Sequence, residues 1–107
     1  MNMFTEIFGD SAVAKILDFL ADHPDYDYSI SEIARYSDVS RPTVYKLIPF
    51  LIEKGLVIKT RQHAGSQMYK LNIKNKLTQI VLKFDFELAT AIAETEAEEK
   101  KKIKKAI

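Results

Sequence analysis

Apolar residues at Val13, Ile16, Leu17 and Leu20 recur with the 3.6-residue period of a helix, opened by Asp10 or Ser11 and closed before His23-Pro24. The polar, aromatic stretch from Asp22 to Tyr28 reads as a turn. Ser29-Ile-Ser-Glu32 then has the form of a capping box and opens a short second helix over about Ile30 to Tyr36. Ser37-Asp-Val-Ser40 breaks it, and Ser40 is placed to cap a third helix from Arg41 to Lys54, with Pro42 in the first turn where a missing N–H costs nothing. Val44, Leu47, Ile48 and Leu51 share one face of that helix, Gly55 follows as a left-handed cap, and Pro49 is expected to bend it without breaking it. From Leu56 to Arg61 the pattern alternates as a strand does, Gln62 to Ser66 forms a turn, and Gln67 to Leu71 resumes the alternation, which makes a hairpin. The fold class is therefore mainly α with one small β-hairpin (α+β), closed by a long last helix that Asn75 can cap.

The last helix carries more apolar surface than one partner covers. Leu77, Val81, Phe84, Leu88, Ala91 and Thr95 step alternately by four and three, a heptad-like seam that Ile80 and Ile92 widen. A second series, Leu82, Phe86, Ala89 and Ala93, lies well round the helix from it. Helix one and the N-terminal Phe4, Ile7 and Phe8 can cover one face; the other is expected to meet a second copy of the chain, giving a two-fold dimer through Leu77, Ile80, Val81, Phe84, Leu88, Ala91 and Ile92. The alternative is a monomer whose long helix packs twice on its own body. Glu94, Glu96, Glu98 and Glu99 precede Lys100, Lys101, Lys102, Lys104 and Lys105 in the favourable order for i, i+4 pairs, as a solvated and fraying helix end would.

Composition narrows the function. The 107 residues suit one small domain with an appendage, split here as 1–73 and 74–107, and no apolar run approaches the ~20 residues of a membrane span. Residues 1–20 lack the basic start and apolar block of a secretory signal, so a cytoplasmic location is expected. With no cysteine and two distant histidines there is little material for a nucleophile, a metal site or a cofactor, and none of these is expected. The loop residues Asp22, His23, Asp25 and Asp27 lack the glycine and distal glutamate of a calcium loop. An enzyme is disfavoured.

The net charge of +1 hides a strong segregation. Residues 1–34 hold one base against seven acids, residues 35–76 nine bases against two acids, and the remainder is balanced. A basic block is read either as a solvated face or as a surface for a polyanion, and charge alone leaves both open.

Ile30, Ile33, Ala34, Val39, Val44 and Leu47 have the spacing two crossing helices need: Ala34 is small at the crossing, Val39 plugs the turn, and Val44 and Leu47 seat the second helix on the first. With Ser31-Glu-Ile-Ala34, Val39-Ser-Arg-Pro-Thr-Val-Tyr-Lys46, Leu51 to Val57 and the hairpin ending in Tyr69-Lys-Leu71, the sequence resembles the winged helix-turn-helix family of DNA-binding transcriptional regulators, small archaeal ones above all, over about residues 10–73. Asp38 stands where the family usually has glycine in the turn; aspartate tolerates a positive φ better than most residues.

The resemblance implies a recognition helix, residues 41–54, in the major groove of double-stranded DNA, with Ser40, Arg41, Pro42, Thr43, Tyr45 and Lys46 facing outward. Helical geometry agrees, because burying Val44, Leu47 and Leu51 turns positions 42, 43 and 46 away from the body. Arg41 and Lys46 suit guanine edges or phosphates, and Thr43 a base edge or thymine methyl. Ser29 and Ser31 either hold a phosphate or simply cap helix two, and in the wing, residues 57–71, Lys59, Arg61 and Lys70 flank a tip suited to the minor groove. A homodimeric regulator is the leading expectation; an architectural or partition-type DNA-coating protein and a winged-helix protein-interaction module are the alternatives. A small-molecule effector is not expected, since it would have to sit between the wing domain and the last helix, where no polar constellation asks for one.

Overall fold

A computed structural model describes residues 11–106. Among these residues, four helices and a three-stranded antiparallel sheet follow in the order α1 (Ala12–Asp22), β1 (Tyr28–Ser29), α2 (Ile30–Ser37), α3 (Arg41–Glu53), β2 (Val57–His63), β3 (Ser66–Leu71) and α4 (Lys76–Ala106). Local chemistry sets most boundaries. Ser11 Oγ accepts the N–H of Ala14 at 3.1 Å and starts α1. At α2 the capping box closes in both directions: Ser29 Oγ accepts from Glu32 N at 3.2 Å and Glu32 Oε1 accepts from Ser29 N at 3.0 Å. Asp38 ends that helix in the left-handed conformation, φ 58°, so the turn is kept without glycine.

Helix α3 runs through Pro49 as a single element, and Gly55 turns the chain out of it at φ +79°. Glycine is required there twice over. A Cβ would also meet Asn75 Nδ2 at 2.6 Å, and Asn75 is the residue whose Oδ1 accepts from Leu77 N at 2.8 Å to start α4.

The sheet differs from the expected hairpin in two ways. The turn is only Ala64-Gly65, both with positive φ, so the strands run further toward the tip than the alternation suggested. A third strand, β1, pairs with β3 through Tyr28–Tyr69 and Ser29–Met68, giving the order β1-β3-β2 in a region read from sequence as turn. Two residues are too few to show a strand period.

Ile16, Leu17 and Leu20 of α1, Ile33 and Ala34 of α2, Val44, Ile48 and Leu51 of α3, and Leu56, Val57, Tyr69 and Leu71 of the hairpin form one core. Helix α4 joins it through Val81, Leu82 and the buried Thr78, whose hydroxyl donates to the Gly55 carbonyl at 3.4 Å. Val81, expected in the intermolecular seam, therefore packs on the body, because the face centred near Thr78 and Leu82 is the one turned toward it. Phe86, from the series on the opposite flank, is 71% exposed. The N-terminal Phe4, Ile7 and Phe8 lie outside the described residues. No helix among the described residues is long and apolar enough to cross a membrane.

Candidate nucleic-acid interface

Helix α3 presents its N-terminal half to solvent. Val44 is fully buried, Arg41, Pro42, Tyr45 and Lys46 are exposed, and Thr43 is half-buried, as the period requires. Ser40 Oγ accepts from Thr43 N at 3.4 Å and lies 2.8 Å from Thr43 Oγ1, so the two hydroxyls are coupled in the cap. Arg41 and Lys46 make no ion pair among the described residues.

Arg41 sits where three elements converge. A polar cleft of about 210 Å³ is lined by Ser29 and Ser31 at the start of α2, Arg41 and Tyr45 of α3, and Gly65, Ser66 and Gln67 of the hairpin tip. Residues far apart in sequence and assigned separately to one surface thus share one concavity. Ser29 is committed to its capping box, while Ser31 is exposed at the rim.

The hairpin cations do not act as a set. Lys59 faces Tyr69 across the β2–β3 register, and neighbours directly across a ladder share a face, so Lys59 lies on the side that carries Val57, Tyr69 and Leu71. Lys70, paired with Ile58, lies on the other. Arg61, past the irregularity between Lys59 and Gln62, is tied to Asp27: Nε donates to Oδ2 at 3.0 Å and Nη2 to Oδ1 at 3.2 Å, and Thr60 Oγ1 donates to Oδ2 at 2.6 Å. The Arg61 and Thr60 hydrogen bonds hold the Asp27 carboxyl down at about 2. What this pair contributes to stability is present above the ordinary carboxyl value of 3.8 and lost as pH falls toward 2. Asp27 was expected only as a loop acid, and no local signal links it to a residue 34 positions away.

The acid-rich loop before β1 is organised by stacking: the His23 and Tyr26 rings lie 4.9 Å apart and nearly parallel.

Comparison with known proteins agrees with this geometry. The model of the IclR helix-turn-helix domain matches residues 13–61, from α1 into the first strand of the hairpin. The chain has a winged helix-turn-helix fold, with a helix-turn-helix segment similar to that of the IclR domain. No curated protein sequence matches it significantly. Among solved structures, the winged helix resembles a double-mutant form of ZitR from Lactococcus lactis, at 18% identity and a TM-score of 0.64, over 83% of this chain and 60% of that one. YusO from Bacillus subtilis matches at 18% identity and a TM-score of 0.62, over 98% of this chain and 77% of that one. A possible transcriptional regulator from Methanosarcina mazei matches at 16% identity and a TM-score of 0.56, over 86% of this chain and 77% of that one. At these identities the likeness is one of fold, and this chain spans well under two thirds of the ZitR chain.

Proposed function

We propose that this chain is a homodimeric regulator that reads double-stranded DNA in a sequence-specific way, working in the compartment where DNA is held. The observation that carries the reading is the convergence of Ser31, Arg41, Tyr45 and the hairpin tip on one cleft beside an exposed helix face whose two cations are unpaired among the described residues. In this reading α3 lies in the major groove with Arg41, Pro42, Thr43 and Lys46 toward base edges, and Tyr45, Ser31 and Ser29 follow the adjoining phosphates. The hairpin approaches the minor groove with Lys59 on its inner face and Lys70 on its outer one. Arg61 reaches DNA only by leaving Asp27, so it is the contact most open to competition.

Residues 1–73 act as the reading domain and 74–107 as the assembly element. Support for a dimer comes from α4, where Leu77 at 46%, Ile80 at 56% and Phe84 at 42% exposure fall on one stripe continued by Leu88, Ala91 and Ile92. Two copies joined there would present two recognition helices to half-sites about one helical turn apart.

The test is selection of bound duplexes from a randomised pool at two salt concentrations, with Arg41→Ala and Lys46→Ala variants in parallel. An enriched inverted repeat is expected, and Arg41→Ala should cost about 1–3 kcal/mol with specificity relaxed at one position. Salt-sensitive binding without an enriched sequence would replace the proposal by a DNA-coating role. No binding at either salt would leave a protein-docking module.

A further inference from the structure

The exposed stripe of α4 is symmetric about its own middle. Leu77, Ile80, Phe84, Leu88 and Ala91 follow one another at steps of three, four, four and three residues, so the spacing reads the same from either end, with Phe84 at the midpoint. Leu88 is half-buried and the other four are exposed. The flank of the helix beside this stripe carries Lys76, Lys83, Glu87 and Glu94, all exposed. Two cations precede the midpoint and two anions follow it, at distances from Phe84 that match within two residues. Lys76 and Glu94 make no ion pair among the described residues, and Lys83 meets Glu87 along its own helix only at 3.9 Å.

We infer that the stripe is an antiparallel interface with a second copy of this chain, its two-fold axis passing beside Phe84 and its rim formed by Lys76 and Lys83 of each copy against the partner's Glu94 and the partner's Glu87. The inference rests on the homodimer reading and adds to it a direction and a register. A two-fold axis that runs across a helix pair makes residues equidistant from the midpoint meet, each with the other. A palindromic stripe then pairs with itself: Leu77 lies opposite the partner's Ala91, Ile80 opposite the partner's Leu88, and Phe84 opposite its own counterpart. The same axis brings the same flank of both helices together, so the cations of one copy face the anions of the other. A parallel pair has its axis along the helices and sets identical residues level. Glu94, Glu96, Glu98 and Glu99 would then stand beside four more glutamates, and the lysines that follow them beside more lysines.

The register also places the two bodies. Helix α4 starts eight residues before Phe84, which sets the two starts about 24 Å apart along the pair at ~1.5 Å per residue. The face around Thr78 and Leu82 that meets the body lies to one side of the stripe, and an axis across the pair keeps that side common to both copies. Both bodies therefore sit on one side of the helix pair, one at each end, whereas a parallel axis would put them on opposite sides. Two recognition helices on one side suit two half-sites on one face of a duplex, and this consequence alone needs the DNA-binding reading.

The test begins with sedimentation of the full chain. A monomer at about 100 μM would overturn the homodimer reading and this inference with it. Because the chain has no cysteine, single thiols then report direction. Leu77→Cys and Ala91→Cys variants are treated with a short bis-maleimide, each alone and as a mixture after subunit exchange. Covalent dimer is expected from the mixture at about tenfold the yield of either variant alone. Cross-linking of each variant alone with no gain on mixing would overturn the antiparallel arrangement while leaving the dimer. Absence of cross-links in a chain that sediments as a dimer would do the same. The rim is tested by Glu87→Lys with Glu94→Lys, which makes the flank wholly basic and should raise the dimer dissociation constant about tenfold. Mixing with a chain carrying Lys76→Glu and Lys83→Glu should restore association, and an unchanged dissociation constant for both charge variants would overturn the assigned pairing.

Discussion

The body and the last helix are built from the same kind of amphipathic pattern and end differently. In the body, Ile16, Ile33, Val44, Ile48 and Leu51 are at most 1% exposed, whereas in α4 the regularly spaced Leu77, Ile80 and Phe84 are 42–56% exposed. Periodicity reports which residues share a face; it does not report what covers that face. Helix α4 has one stripe, around Thr78, Val81 and Leu82, that meets the body, and another about a third of a turn away that is largely exposed among the described residues. Among the described residues, α4 is left with apolar surface on its second stripe.

The comparison is broken most directly by truncating one isoleucine on each side. Ile48→Ala should destabilise by about 2–5 kcal/mol in denaturant unfolding, because it truncates a fully buried core side chain, while Ile80→Ala should cost well under about 1 kcal/mol in the dilute, dissociated chain. Equal losses would show that the α4 stripe is covered by its own body after all. The homodimer proposal makes the stripe matter in a different measurement. Leu77→Glu with Ile80→Glu should leave the circular dichroism spectrum unchanged and raise the dimer dissociation constant by on the order of 100-fold in sedimentation, since two charges per copy would be desolvated on association.

The joint between the two regions should be less sensitive. Gly55→Ala combines a positive φ with a 2.6 Å approach to the Asn75 amide, so a loss of about 1–2 kcal/mol in thermal unfolding is expected, part of it recovered by Asn75→Ser, which shortens the opposing side chain and still caps α4.

The smallest effect lies at Asp85, on the stripe of α4 that meets the body. Its Oδ1 is buried without a hydrogen-bond partner, and burial, then the Asp22 charge, raise its pKa above the ordinary 3.8. A raised carboxyl pKa means the folded chain holds the proton more tightly, so the penalty is absent below 3.8 and complete once pH has passed the raised value. Asp85→Asn should therefore stabilise at pH 7 by about 0.5–1 kcal/mol, the group being only partly buried, with the gain fading as pH falls toward 3.8. A gain that persists unchanged at low pH would assign the effect to packing instead.

Much of the proposed reading surface was legible before the fold was known, because the outward positions of a capped helix follow once its buried face is named. Arg41, Lys46 and Tyr45 needed only Val44 and Leu51 as reference. Arg61 was legible as a cation and not as a partner of Asp27, and Tyr69 read only as the close of a hairpin rather than as a wall shared by two cavities.

By itself the sequence determined what depends on neighbours within about one helical turn: the Ser29–Glu32 capping box, the Ser40 cap, the left-handed residues at Asp38 and Gly55, and the start of α4 at Asn75. Those groups satisfy backbone donors a few residues away, so their outcome is settled by local geometry. Only the tertiary structure decided that Tyr28–Ser29 would be a strand, that Asp27 would hold Arg61, that Lys59 and Lys70 would part to opposite faces, and which stripe of α4 the body would cover. Each of these depends on strand register or on side chains brought together across more than twenty residues, and the packing of the whole core sets which of them meet.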